Sequence, residues 1–345
     1  LTSSLWSDIL PFAYSNTRPF WTSNIELIIS RGCILMARRL TIELSDILTP
    51  ESLRSIALEI LKLDCVDWQH INALTITESS PEYLYCEYTT DSEKASEADI
   101  ARTVQYFGQN MRNVIEFNFA SSYGEAKGSC FAGCLVAIYG GQLQIHKASR
   151  FIPVSLFNFS RNIKVLELSL GSLASSILTG ICSETLSVLK LYDAPRDFAW
   201  HHFRYDTFDQ PIVFRKLTVL LLLYQPEDKS KALTDAEVQE KTALGALNCD
   251  QLRFPALREL CIGNCTPDCD LLYADVPFPE LKSVVLYGSI DSIPVVIGSI
   301  QELILHAGEL KNLVLPKFAR QPVATFIDMY KDRYPHLANI YLIDE

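Results

Sequence analysis

Apolar side chains recur along this chain at intervals of three and then two residues, in a pattern L-x-x-L-x-L that tolerates other aliphatic or aromatic residues. Clear copies are Ile163-Leu166-Leu168, Leu186-Leu189-Leu191, Leu217-Leu220-Leu222, Leu257-Leu260-Ile262, Leu281-Val284-Leu286 and Ile300-Leu303-Leu305, and Leu337-Ile340-Leu342 closes the chain. Weaker copies precede them at Ala37-Leu40-Ile42, Ile71-Leu74-Ile76, Val114-Phe117-Phe119 and Gly140-Leu143-Ile145. Residues two apart share one face of a strand, so positions four and six of each copy predict a short strand with a single buried side. Between the strands the period changes. After Thr49 as N-cap and Pro50 at the first helical position, Leu53, Ile56, Ala57, Ile60 and Leu61 fall on one helical face. From Ser96, with Asp99 three residues on, Ile100, Val104, Phe107 and Met111 repeat that spacing. A third helix is expected from about Gln321 to Arg333, with Val323, Phe326, Ile327 and Tyr330 inward.

One such unit cannot bury its apolar side alone, whereas stacked neighbours form a continuous core and leave one long open face. The pattern therefore predicts an α/β leucine-rich repeat solenoid: a horseshoe with a parallel concave sheet and irregular helices and loops on the convex side. Counted between fourth positions, the spacing is 34, 43 and 26 from Leu40 to Leu143, and 23, 23 and 31 from there to Leu220. It is then 40, 24 and 19 from Leu220 to Leu303. Regular arrays use roughly 20 to 29 residues per unit, so this array is degenerate, with long excursions. Residues 1–35 are expected to cap it and 36–345 to form one repeat solenoid. The segment 225–250, with Glu227, Asp228, Lys229, Lys231, Asp235, Glu237, Glu240 and Lys241, reads as a charged surface insertion with a short helix from Thr234. A solvated loop is its plain reading, and phosphate regulation or partner contact the alternatives.

Composition narrows the function. Thirty Lys plus Arg against 41 Asp plus Glu give a net charge of -11 with no sequence cluster of cations, which argues against nucleic acid as ligand. No apolar run approaches the roughly 18 residues of a membrane span, so no membrane is expected as partner. Ten cysteines without the spacing of a small disulfide framework read as free thiols of the cytoplasm or nucleus. The sequons at Asn158 and Asn264 are short enough to arise by chance. The chain opens on Leu1 without the charged and apolar regions of a signal peptide, and is expected to be a fragment of a longer protein.

Candidate chemistry is thin. Cys249, Cys261, Cys265 and Cys269 are spaced eleven, three and three between ligands, unlike the paired knuckles of structural zinc. The repeat register instead places Cys265 at position nine and Cys261 at position five. In Asp197-Phe198-Ala199-Trp200-His201-His202-Phe203-Arg204-Tyr205, adjacent histidines diverge on regular backbone and cannot share one metal, so an apolar latch is favoured over a ligand or partner contact. Cys130, Cys134 and His146 are the remote candidates for a cysteine-dependent hydrolase, but no recognisable nucleophile signature surrounds them. No catalysis and no cofactor are expected.

The open face is the better candidate. With positions four and six buried, positions three, five and seven face out. These are Val165, Glu167, Ser169; Val188, Lys190, Tyr192; Val219, Leu221, Leu223; Glu259, Cys261, Gly263; Ser283, Val285, Tyr287; and Glu302, Ile304, His306. Partner contact is expected on Val188, Lys190, Tyr192, Val219, Leu221, Leu223, Glu259, Cys261, Val285, Tyr287 and Ile304. This strip is more apolar than solvent favours, so a partner protein, the 225–250 insertion or another part of the chain should cover it.

The strand starts ARRLTIEL (37–44), FRKLTVLLL (214–222), FPALRELCI (254–262) and FPELKSVVL (278–286), the helix end ALEIL (57–61) and the aromatic DFAWHHF (197–203) resemble fungal F-box and leucine-rich-repeat proteins. The resemblance implies a substrate receptor of a cullin-type ubiquitin ligase, with an F-box gripping the Skp adaptor. No leucine-proline F-box opening is visible, and LTSSLWSDIL offers at most the tail of one. A self-contained structural scaffold is the alternative.

Overall fold

The computed structural model describes residues 9–15, 18–21, 37–44, 50–61, 67–78, 97–121, 129–148, 162–169, 183–194, 212–224, 252–264, 278–287, 307–316, 337 and 339–343. The chain divides into two compact units, Leu1–Ile163 and Lys164–Glu345.

The first unit contains β1 (Ile9–Ser15), β2 (Arg18–Trp21), β3 (Arg39–Leu44), α1 (Pro50–Leu61) and β4 (Ala73–Glu78). It continues with α2 (Glu97–Asn110), β5 (Glu116–Ser121), α3 (Ser129–Tyr139) and β6 (Ile145–Ala148). Its strands lie in the order β2-β1-β3-β4-β5-β6, with β2 antiparallel to β1 and the remaining pairs parallel. The helices α1 and α2 stand where capping and period placed them: Ile56, Ala57 and Ile60 are buried on one, Val104 and Phe107 on the other, and Met111 just beyond. Ahead of residue 36, β1 pairs with β3 and sets Leu10 and Phe12 level with Leu40 and Ile42. The stretch around Cys130, for which the sequence offered no element, starts α3. It buries Phe131, Ala132, Leu135, Val136 and Tyr139, and Phe131 meets Phe107 edge-on at 6.1 Å. The fourth weak copy is shifted by three: Gly140 and Gln142 are used up in the turn that closes α3, so Leu143 is position one and His146 lies level with Phe117.

The second unit contains β7 (Val165–Ser169), β8 (Val188–Ala194), β9 (Ile212–Val213), β10 (Val219–Tyr224), β11 (Leu252–Arg253) and β12 (Glu259–Gly263). It ends with β13 (Ser283–Tyr287), β14 (Asn312–Pro316) and β15 (Asn339–Ile343). Seven of these form a parallel sheet in the order β7-β8-β10-β12-β13-β14-β15, and among the described residues β9 and β11 form a separate parallel pair. The expected strand at 300–305 lies outside the described residues, and the strand that pairs with β13 is β14. Its motif, Leu310-Leu313-Leu315, is a full copy of the pattern with all three side chains buried. The insertion 225–250, the aromatic run 197–203, Cys249, Cys265, Cys269 and the helix expected at 321–333 also lie outside the described residues.

Two features make the repeats physical units rather than a sequence rhythm. At position two, a single carbonyl accepts both leading amides of the next strand. In the first unit, Asn72 O accepts from Ile115 N and Glu116 N at 2.9 and 3.0 Å; in the second, Thr218 O accepts from Arg258 N and Glu259 N at the same distances. Arg38, Ile115, Lys164, Ser187, Arg258 and Lys282 do likewise. In the second unit, a phenylalanine three residues before position one folds back in a turn, with Leu257 N donating to Phe254 O at 3.3 Å. Successive rungs then stack these rings: Phe214 on Phe254 at 5.0 Å and 10°, Phe254 on Phe278 at 5.9 Å and 17°. Offset aromatic contacts at this separation add to what ring burial alone contributes.

Candidate recognition face

Alternation along each strand of the second unit separates a buried side from an open one. Leu166, Leu189, Leu220, Leu260, Val284 and Leu313 at position four are at most 1% exposed, and position six is nearly as closed. The residues between them face out. Val188, Lys190, Tyr192, Val219, Leu221, Leu223, Cys261 and Val285 are half-buried, while Glu259 and Tyr287 are exposed. Ile304 lies outside the described residues.

Register joins these side chains into rows. At position five Glu167 is level with Lys190, Lys190 with Leu221, Leu221 with Cys261, Cys261 with Val285, Val285 with Val314 and Val314 with Tyr341. Adjacent strands lie about 4.8 Å apart, so the apolar part of this row, Leu221 to Tyr341, runs for about 19 Å. Its far end is open: Tyr341 is 51% exposed and Tyr287, beside the row, 45%. Gly263 widens the strip. A Cβ there would collide with Leu223 Cδ2 and meet Tyr287 Cβ at 3.5 Å, so Leu223 lies across the bare backbone towards Tyr287. Val314 and Tyr341 are additions to the residues expected from sequence; carrying the register one strand past Val285 on the Leu310 frame would have found Val314.

The other end of the row is polar. Tyr192 Oη donates to Glu167 Oε1 at 3.0 Å, and Lys190 Nζ stands 3.6 Å from Glu167 Oε2. Burial, then the bond to Glu167 and its charge, push the Tyr192 hydroxyl up to about 12. Burial pushes the Cys261 thiol up to about 11 against the opposing pull of Lys190, so at neutral pH Cys261 is a small apolar group of the strip rather than a nucleophile. At position three the row turns polar from Glu259 onward and ends in Asn339 Nδ2 donating to Asn312 Oδ1 at 2.9 Å. Asn264, in the left-handed region at φ 55°, donates its side-chain amide to Tyr224 O at 2.8 Å and its backbone amide to Tyr287 O at 3.0 Å. It ties together the ends of three strands beneath the strip.

The open face of the first unit has different chemistry. Arg39, Thr41, Glu43, Thr75, Thr77, Glu116, Asn118 and Lys147 stand on it, and Asn118 Nδ2 donates to Glu116 Oε1 at 2.9 Å and Thr75 Oγ1 at 3.3 Å.

Of the remote hydrolase candidates, His146 is wholly buried at position four. Its Nδ1 is 3.2 Å from Phe117 O, and its ring stacks on Phe117 at 5.6 Å. Burial lowers its pKa to about 4 despite the carbonyl bond, which leaves a neutral ring in the core with no surface towards a substrate. Cys134 is half-buried on α3. Among the described residues no group of three or more His, Cys, Asp or Glu is placed to hold a metal ion, and no helix is long and apolar enough to cross a membrane. No protein-family model, curated protein or solved structure matches the chain, and the chemistry of this face is therefore read from its own residues.

Proposed function

We propose that this chain is a degenerate leucine-rich repeat protein that recognises another protein along the open face of its second unit. The observation that carries the reading is the position-five row: Leu221, Cys261, Val285, Val314 and Tyr341 side by side, with Leu223 and Tyr287 alongside. Burying each large apolar side chain contributes roughly 1.5 to 3 kcal/mol. A contiguous strip left to water forgoes that stabilisation, whereas a strip with aromatic residues and a polar end matches the centre and rim of a protein interface. Its work is binding, without catalysis or cofactor, in the cytoplasm or nucleus. The resemblance to F-box and leucine-rich-repeat proteins makes substrate recruitment to a cullin-type ligase the favoured setting, with the Skp adaptor as second partner where an F-box accompanies the repeats.

The test is paired substitution on one strand. Leu221→Asp alters a half-buried side chain of the open face and Leu220→Asp its wholly buried neighbour. Affinity capture from cells with quantitative mass spectrometry is expected to show a set of proteins retained by the wild type and lost with Leu221→Asp, whose circular dichroism and melting remain native. Leu220→Asp is expected to unfold the second unit. If Leu221→Asp unfolds the protein as Leu220→Asp does, the strip is part of a closed core and the recognition reading fails.

A further inference from the structure

The apolar row has a cationic border that the sequence hides. Arg258, Lys282 and Lys311 all occupy position two, 24 and 29 residues apart in the chain, yet the fold sets them on successive strands. Lys282 N donates to Arg258 O at 2.9 Å and Lys311 N to Lys282 O at 2.9 Å, so the three residues form one column at the start of β12, β13 and β14. All three are exposed. Arg258 Nε stands 3.5 Å from Glu280 Oε2, a solvent-screened pair that only partly occupies its charge. Lys282 and Lys311 have no carboxylate partner among the described residues. The carboxylates nearby are Glu280, Glu259 at position three of β12, and Glu309, two residues before Lys311. Lys216 adds an exposed cation at the start of β10, and Arg215 beside it pairs with Glu184 at 3.6 Å.

Position one is buried like position four, so alternation is broken between them and the exposed Arg258, Lys282 and Lys311 border the open side. A strand rises about 3.3 Å per residue, so positions two and five of the same strand are about 10 Å apart, the reach of three or four residues of an extended segment. We infer that the face takes an acidic, apolar segment of a partner protein, its aliphatic or aromatic side chains against Leu221, Val285 and Tyr287 and its carboxylates against Lys282 and Lys311. This rests on the recognition reading and names the partner's chemistry. A nucleic acid would need a longer path of cations and no apolar row beside it.

A displayed library of short random peptides selected on the immobilised full chain tests this. The expected enrichment is for peptides that combine Leu, Phe or Trp with Asp or Glu, and their synthetic versions should bind the Lys282→Glu/Lys311→Glu variant at least about tenfold more weakly, the equivalent of about 1.4 kcal/mol. They should also lose binding to Leu221→Asp. Enriched peptides that are apolar without acidic residues, or that bind the double charge-reversal variant as well as the wild type, overturn the acidic partner while leaving recognition by this face standing. Absence of enrichment, or binding indifferent to Leu221→Asp, overturns both.

Discussion

Acidification should weaken the first unit through one residue. His146 fills a position that holds Leu or Phe in the neighbouring strands β3, β4 and β5, and is 0% exposed. Burial holds its folded pKa at about 4, well below the 6.5 of an exposed imidazole. Above pH 6.5 neither folded nor unfolded chain binds this proton, and the residue adds no pH dependence. As pH falls from 6.5 to 4 the unfolded chain takes up the proton first, so stability is lost at about 1.4 kcal/mol per pH unit, or about 3 kcal/mol over the window. Below pH 4 the folded ring also titrates and the loss levels off. The perturbation is His146→Leu, which keeps the slot apolar. It forgoes the bond to Phe117 O, a change of about 1 kcal/mol at pH 7. Urea unfolding followed by tryptophan fluorescence at pH 7.5, 6, 5 and 4 suits the comparison, because Trp6, Trp21 and Trp68 of the four tryptophans belong to this unit. Carboxylates titrate alike in both proteins and cancel. The gap between wild type and variant should therefore swing in favour of the variant by about 3 kcal/mol between pH 7 and pH 4. A gap that stays constant across that range would refute the buried, neutral assignment of His146.

Other substitutions probe the second unit. Phe254→Ala removes the middle ring of the Phe214, Phe254 and Phe278 stack and should cost about 3 to 5 kcal/mol, read as a lowered melting temperature; Phe254→Leu should recover most of the loss. Gly263→Ala displaces a flexible side chain rather than backbone, so melting should change by no more than about 1 kcal/mol while Leu223 moves and partner affinity falls. Cys261, with its thiol near 11, should be alkylated by iodoacetamide at pH 8 about 100-fold more slowly than a thiol titrating near 9, as followed by peptide mass spectrometry against the urea-unfolded chain.

Much of this architecture was legible because strand burial writes itself as a period. Leu166/Leu168, Leu189/Leu191, Leu220/Leu222 and Leu260/Ile262 each state which side of the strand is closed, and the open side follows by alternation. The failures have local causes. Helix α3, SCFAGCLVAIY, is apolar on nearly all sides, so its period of 3.6 has little polar contrast to show against. The shift at β6 arose because His146 occupies a core position: a titratable residue breaks the apolar count, and Ile145 next to it offers a false one. The copy at 310–315 went unread although Leu310-Leu313-Leu315 matches the motif in full, and pairing with β13 makes it a strand of the sheet. The cationic column was invisible for a different reason. Its members are neighbours across strands and strangers along the chain, so a search for clustered Lys and Arg passes over them.

The shared carbonyl at position two also has a mechanical meaning. Each rung of the second unit is fastened to the next at that point by backbone amides, with the hydroxyls of Ser187 and Thr218 adding a bond to the same carbonyl at two rungs, however much chain intervenes. Held by its ends and drawn apart, such a stack would part rung by rung, each step releasing the length stored between two fastenings. From Leu220 to Leu260 that is 40 residues, about 140 Å of extended chain, while from Leu260 to Val284 it is 24 residues, about 80 Å. Unequal excursions thus give every rung its own extension, and the irregular spacing that makes the repeats hard to see in sequence becomes a ruler along the molecule.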